Sequence, residues 1–81
     1  MEDLTGFLES IVFSSEDTGF TVARLNAPRS QDLITIVGTL PGVQPGERLS
    51  CRGVWKHHSQ YGRQFEIESY NLEAPADEVG I

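Results

Sequence analysis

The stretch HHSQYGRQF, His57 to Phe65, sets two histidines, a tyrosine, an arginine and two glutamines around one glycine. Three uses fit such a set: metal ligation by the histidines, nucleic-acid contact by the basic and aromatic groups, or simply the turn of a hairpin. Successive side chains on a strand point to opposite faces, so adjacent His57 and His58 do not converge on one ion. They are the only histidines, and Cys51 is the only cysteine, which falls short of the four-ligand sets of structural zinc. No metal site and no disulfide framework are expected.

The nucleic-acid use has more support. No carboxylate lies between Arg48 and Arg63, yet Arg48, Arg52, Lys56 and Arg63 are four of the six basic residues, with Trp55 and Tyr61 among them. Cations for phosphates beside rings for stacking are what a single strand requires. Lys56, His58, Tyr61 and Arg63, near the tip, are the candidate nucleic-acid-binding residues. Against this, 12 acidic residues leave a net charge of -6, whereas phosphate neutralisation supplies most nucleic-acid affinity. Any DNA contact is therefore expected to be weak and local.

The hairpin use rests on Ser59, Gln60 and Gly62 as turn formers between two alternating segments. A one-residue slip flips every side chain, so parity limits the register. Pairing Trp55 with Phe65 and Gly53 with Ile67 puts Lys56 opposite Gln64 and Arg52 opposite Glu68. Gly53 then leaves room for neighbouring rings. Glu66 and Glu68 would match much of the charge on Arg52 and Lys56.

No catalytic residue is expected. A phosphate-binding G-x-x-x-x-G-K-[ST] loop is absent, and Ser14, Ser15 and Ser50 have no placed histidine and no G-x-S-x-G elbow. Glu16-Asp17 and Glu66/Glu68 read as solvated surface, Cys51 as a small buried hydrophobe. The start, MEDLTG, has no apolar signal region, and no run reaches the ~20 apolar residues that span a bilayer. A soluble cytoplasmic domain without a membrane partner is expected.

Strand signals dominate the rest. TGFLESIVFS alternates imperfectly, which suggests a bulge near Glu9-Ser10. SSEDTG leads into FTVARLN, so these two strands form a hairpin. LITIVGTL is rich in β-branched residues, and PGVQPGE stops it before RLSCRGVWKH and QFEIESY. The expectation is an all-β fold: a small five-stranded antiparallel meander closing as an OB-like barrel over residues 1-73, with an SH3-like barrel as the alternative. PGVQPG is too short for the helix that often joins the third and fourth OB strands. Residues 74-81 read as an acidic linker toward a further domain.

IVFSSEDTGFTVARL, ITIVGTLPGVQPGERL, GVWKHHSQYGRQFEIESY and PADEVGI together resemble the N-terminal domain of RecD-like DNA helicases, the exodeoxyribonuclease V alpha-chain family. The more specific pieces are G-x-x-P-G-x-x-x-G-E, Gly38 to Glu47, and H-x-x-x-Y-G-R-Q-F, His57 to Phe65. Val54 departs from the charged or polar residue expected beside the tryptophan. The resemblance implies an OB-like barrel at the front of an ATP-dependent helicase that unwinds DNA 5′ to 3′. ATP and Mg would belong to motor domains outside these residues, and no cofactor is expected within them. Two roles follow for the barrel: a weak contact with single-stranded DNA, or docking on the helicase body or a repair partner.

Overall fold

The computed structural model describes residues 1–28, 31–59 and 62–73. Five strands follow one another: β1 (Glu2–Ser14), β2 (Phe20–Asn26), β3 (Ile34–Thr39), β4 (Arg48–His58) and β5 (Gly62–Glu73). They close into a barrel in the order β1-β2-β3-β5-β4, with β4 returning to β1. Four pairings are antiparallel and one, β3 with β5, is parallel. The five-stranded OB-like barrel stands, but its path is not a simple meander, because β5 rather than β4 lies beside β3. The expected linker, 74–81, lies outside the described residues.

One strand makes closure possible. β1 pairs with β4 through Glu2–Phe7 and with β2 through Phe7–Ser14, so it must bend between the two partners. Register shifts at Glu9 and at Val12 provide the bend, the first where the broken alternation placed it. Ahead of the shift Leu4, Gly6 and Leu8 alternate inward and leave Phe7 half exposed; after it Ile11 packs against the core. Gly6 completes the closure, because a Cβ there would meet the Asn26 carbonyl at 2.5 Å.

Leu8, Ala23, Leu25, Ile36, Leu49, Cys51 and Phe65 form the barrel interior. The Leu40–Glu47 connection takes the place of a helix as the plug at one end. Leu40 and Val43 are buried there. Backbone bonds from Leu40 N to Gly19 O (3.0 Å) and from Gly46 N to Leu8 O (2.7 Å) fasten the loop to the wall. Gly42 and Gly46 turn it with φ of 81° and 93°, a region open to glycine and costly for other residues.

The β4–β5 hairpin keeps the expected register near its tip: Trp55 faces Phe65, Gly53 faces Ile67 and Lys56 faces Gln64. Two corrections follow toward its base. A bulge at Glu68 puts Arg52 opposite Ser69 instead of Glu68, and Arg52 reaches Asp3 at 3.5 Å in an exposed ion pair. Such pairs contribute only ~0–1 kcal/mol. The bulge also brings Tyr70 round to pack on the core opposite Cys51. Gly53 makes room for backbone rather than rings, since a Cβ there would collide with the Glu66 carbonyl oxygen.

Candidate nucleic-acid interface

The hairpin separates the sequence-derived candidates. Lys56 shares its register row with Gln64 and lies on the outer face of the barrel. Arg63 pairs with His57 on the opposite face, and its guanidinium carbon lies 4.0 Å from the centroid of the Trp55 ring. His58 holds the register position opposite Gly62. Tyr61 lies outside the described residues. Lys56 and Arg63 thus serve two different surfaces that meet at the β3–β5 seam.

The outer surface is built by strand alternation. In β2, Thr21, Ala23 and Leu25 go inward, so Phe20, Val22 and Arg24 go outward. Pairing then lines up two adjacent rows across the wall. One runs Phe13, Val22, Val37, Glu66, Val54, and the other joins Ser10, Arg24 and Thr35 to Gln64 and Lys56. Phe13 and Phe20 are both exposed, with ring centroids 6.3 Å apart. A groove of about 400 Å³ runs along Val12, Phe13, Val22, Arg24, Thr35 and Gln64. Among the described residues, neither Arg24 nor Lys56 has an ion-pair partner; Glu66 is the carboxylate within these rows.

The second surface lies at the hairpin end of the barrel. Trp55 packs edge-on against buried Phe65, with centroids 5.0 Å apart, and carries Arg63 on its ring. Its indole Nε1–H donates to Glu2 Oε1 at 2.8 Å, which fixes the ring in place. Trp55 and Arg63 join Leu4, Ala27, Asp32, Leu33, Ile34 and Thr35 around a pocket of about 490 Å³. Thr35 lines both the pocket and the outer groove.

Sequence reasoning singled out Lys56, Trp55 and Arg63 and did not single out Phe13, Phe20 and Arg24, which the pairing places on the outer wall with Lys56. The alternation in FTVARLN carried the signal for two of them: with Ala23 and Leu25 inward, Phe20 and Arg24 must face out. Phe13 was hidden by the shift at Val12, which alters its parity with Ile11.

A closed five-stranded barrel in this strand order is that of an OB-fold. Residues 1–75 match the family described as "ATP-dependent DNA helicase YrrC, OB-fold domain", and the chain belongs to that family. It is also similar to the "ATP-dependent RecD2 DNA helicase" of Deinococcus radiodurans, with 35% identity over 78 residues. The alignment covers 91% of this chain and 11% of that relative.

Proposed function

We propose that this barrel is an accessory single-strand DNA contact of an ATP-dependent 5′ to 3′ helicase, with ATP and Mg handled by motor domains elsewhere in the parent protein. The observation that supports it most is the outer wall, where exposed Phe13 lies one row away from the row that holds Arg24 and Lys56, and Phe20 lies one row beyond Phe13. Rings accept successive bases and the two cations take flanking phosphates. Arg63 adds a third cation around the β3–β5 seam. The role is to hold the strand loosely near the motor, consistent with few phosphates neutralised.

Titration of the 81-residue chain into an end-labelled dT oligonucleotide at low salt, read by anisotropy, tests this. Saturable weak binding is expected. Phe13→Ala should weaken it by about five- to ten-fold, the lower end of measured base-stacking losses. Combined Arg24→Glu and Lys56→Glu should abolish it. Binding unchanged by that charge reversal would sink the assignment of this wall.

The same wall supports a second reading, docking on the helicase body or a repair partner. Val12, Phe13 and Phe20 are exposed together on a chain of net charge -6, which suits a protein partner as well as a base. In that case the isolated chain ignores oligonucleotides at low salt, and Phe13→Ala disturbs assembly of the full-length protein instead.

A further inference from the structure

We propose that the groove on the outer wall reads guanine: the base lies on Phe13 and presents its O6 and N7 edge to the guanidinium of Arg24. This assignment rests on the single-strand reading above and deepens it, giving Arg24 a base to recognise wherever a strand offers one.

Three observations carry it. First, ring and guanidinium are neighbours by construction. Phe13 pairs with Val22, and Arg24 is the next outward residue on β2, diagonal to the ring. That diagonal is roughly 7–8 Å in an antiparallel pair, within reach of aromatic and long side chains. Both line the groove of about 400 Å³, with Val22 beside them. Phe20 leans on Phe13 at an interplanar angle of 55°, while the Phe13 ring stays half exposed for a base.

Second, the groove is free of competing charge. Its lining holds one cation, Arg24, and no carboxylate; Val12, Thr35 and Gln64 are neutral. Among the described residues Arg24 has no ion-pair partner. Glu66 is separated from Val22 by Val37, on the far side of β3.

Third, the two cations of the row differ in kind. Lys56, across the β3–β5 seam from Arg24, is a point charge that suits a phosphate. Arg24 carries a planar fork of donors that matches two adjacent acceptors. Guanine alone among the four bases sets two acceptors side by side on one edge. Adenine and cytosine place an amine there, and thymine a methyl beside its carbonyl. On a strand without guanine the fork takes a phosphate instead.

The test titrates the 81-residue chain at low salt into a short end-labelled dT oligonucleotide with one central guanine, read by anisotropy. The same oligonucleotide is compared with thymine, adenine, hypoxanthine or 7-deazaguanine at that place. Guanine should bind about five-fold more tightly than thymine, the lower end of discrimination by a bidentate base contact. Hypoxanthine keeps O6 and N7 and should match guanine. Adenine and 7-deazaguanine, which lacks N7, should fall toward thymine. Arg24→Lys keeps the charge and removes the fork, and should erase the difference between guanine and thymine.

Equal affinity for guanine and thymine would overturn the guanine site and leave the wall as a general single-strand contact. Adenine or 7-deazaguanine bound as tightly as guanine would also overturn it, because purine stacking on Phe13 would then account for the preference. A guanine preference that survives Arg24→Lys would overturn the role given to that side chain. No binding to any of the oligonucleotides would remove the single-strand reading together with the guanine site.

Discussion

Cys51 illustrates how a single position can be chemically quiet by placement. It lies in the barrel wall at 2% exposure, with its thiol donating to the Leu4 carbonyl at 3.3 Å. Burial penalises the thiolate and pushes the pKa up from 9.0 to about 11. The unfolded chain therefore gives up this proton first as pH rises. The contribution to stability is present in full below about pH 9 and is lost progressively as pH rises toward about 11. Cys51→Ala keeps an apolar group and removes the titration. Urea midpoints should therefore fall more steeply between pH 8 and pH 10.5 for the native chain than for the variant, and parallel curves would refute the buried-thiol account. At pH 8, alkylation of the folded thiol should proceed only as fast as the barrel opens.

At the scale of elements, two glycines separate crowding from backbone strain. Gly53 lies where β4 approaches β5 so closely that a Cβ would collide with the Glu66 carbonyl oxygen, and the collision is with backbone that cannot rotate away. Gly42 has no atom within 4 Å of the position a Cβ would take, but its φ is 81°. Gly42→Ala should cost about 1–2 kcal/mol, the left-handed penalty for an L-residue. Gly53→Ala should reach or exceed about 3 kcal/mol, the upper part of the range for overpacking. Urea denaturation of the two variants gives the comparison, and a larger loss at Gly42 would mean that the hairpin yields more easily than its contacts imply.

The same hairpin shows what a sequence makes legible. Parity together with the position of the turn matched Trp55 to Phe65, because a one-residue slip would have put the two rings on opposite faces. The bulge at Glu68 was not legible, since Glu68-Ser69-Tyr70 alternates acceptably in either register. Barrel curvature selects the one that returns Tyr70 to the core opposite Cys51. The parallel β3–β5 seam was equally hidden. It joins Ile36 to Phe65 and Val37 to Glu66 across a long stretch of chain, and no local pattern encodes such a contact. The candidate site was divided for the same reason: Lys56 and Arg63 are neighbours in sequence logic, but strand parity sends them to opposite faces of one hairpin.

For the whole molecule, charge sets what this barrel can do with DNA. Twelve acidic residues against six basic ones give a net charge of -6, so long-range attraction to a polyanion is absent. The proposed contact therefore depends on the local arrangement of Arg24, Lys56 and Arg63 with the exposed rings. Single-strand binding loses affinity with a log–log salt slope of roughly -0.7 per neutralised phosphate, so three cations give a slope of about -2. Stacking on Phe13 and Phe20 is far less sensitive to salt, so a residual affinity should persist when the ionic part is screened. Anisotropy titrations across a range of salt concentrations should return that shallow slope for the native chain and a smaller one for Lys56→Ala. Glu66→Gln removes the carboxylate from the middle of the wall and should strengthen binding most at low salt, where its repulsion is least screened. A slope much steeper than about -2 would mean that phosphates meet cations other than these three. A slope near zero would place the binding on the rings and leave the basic residues of the hairpin to a protein partner.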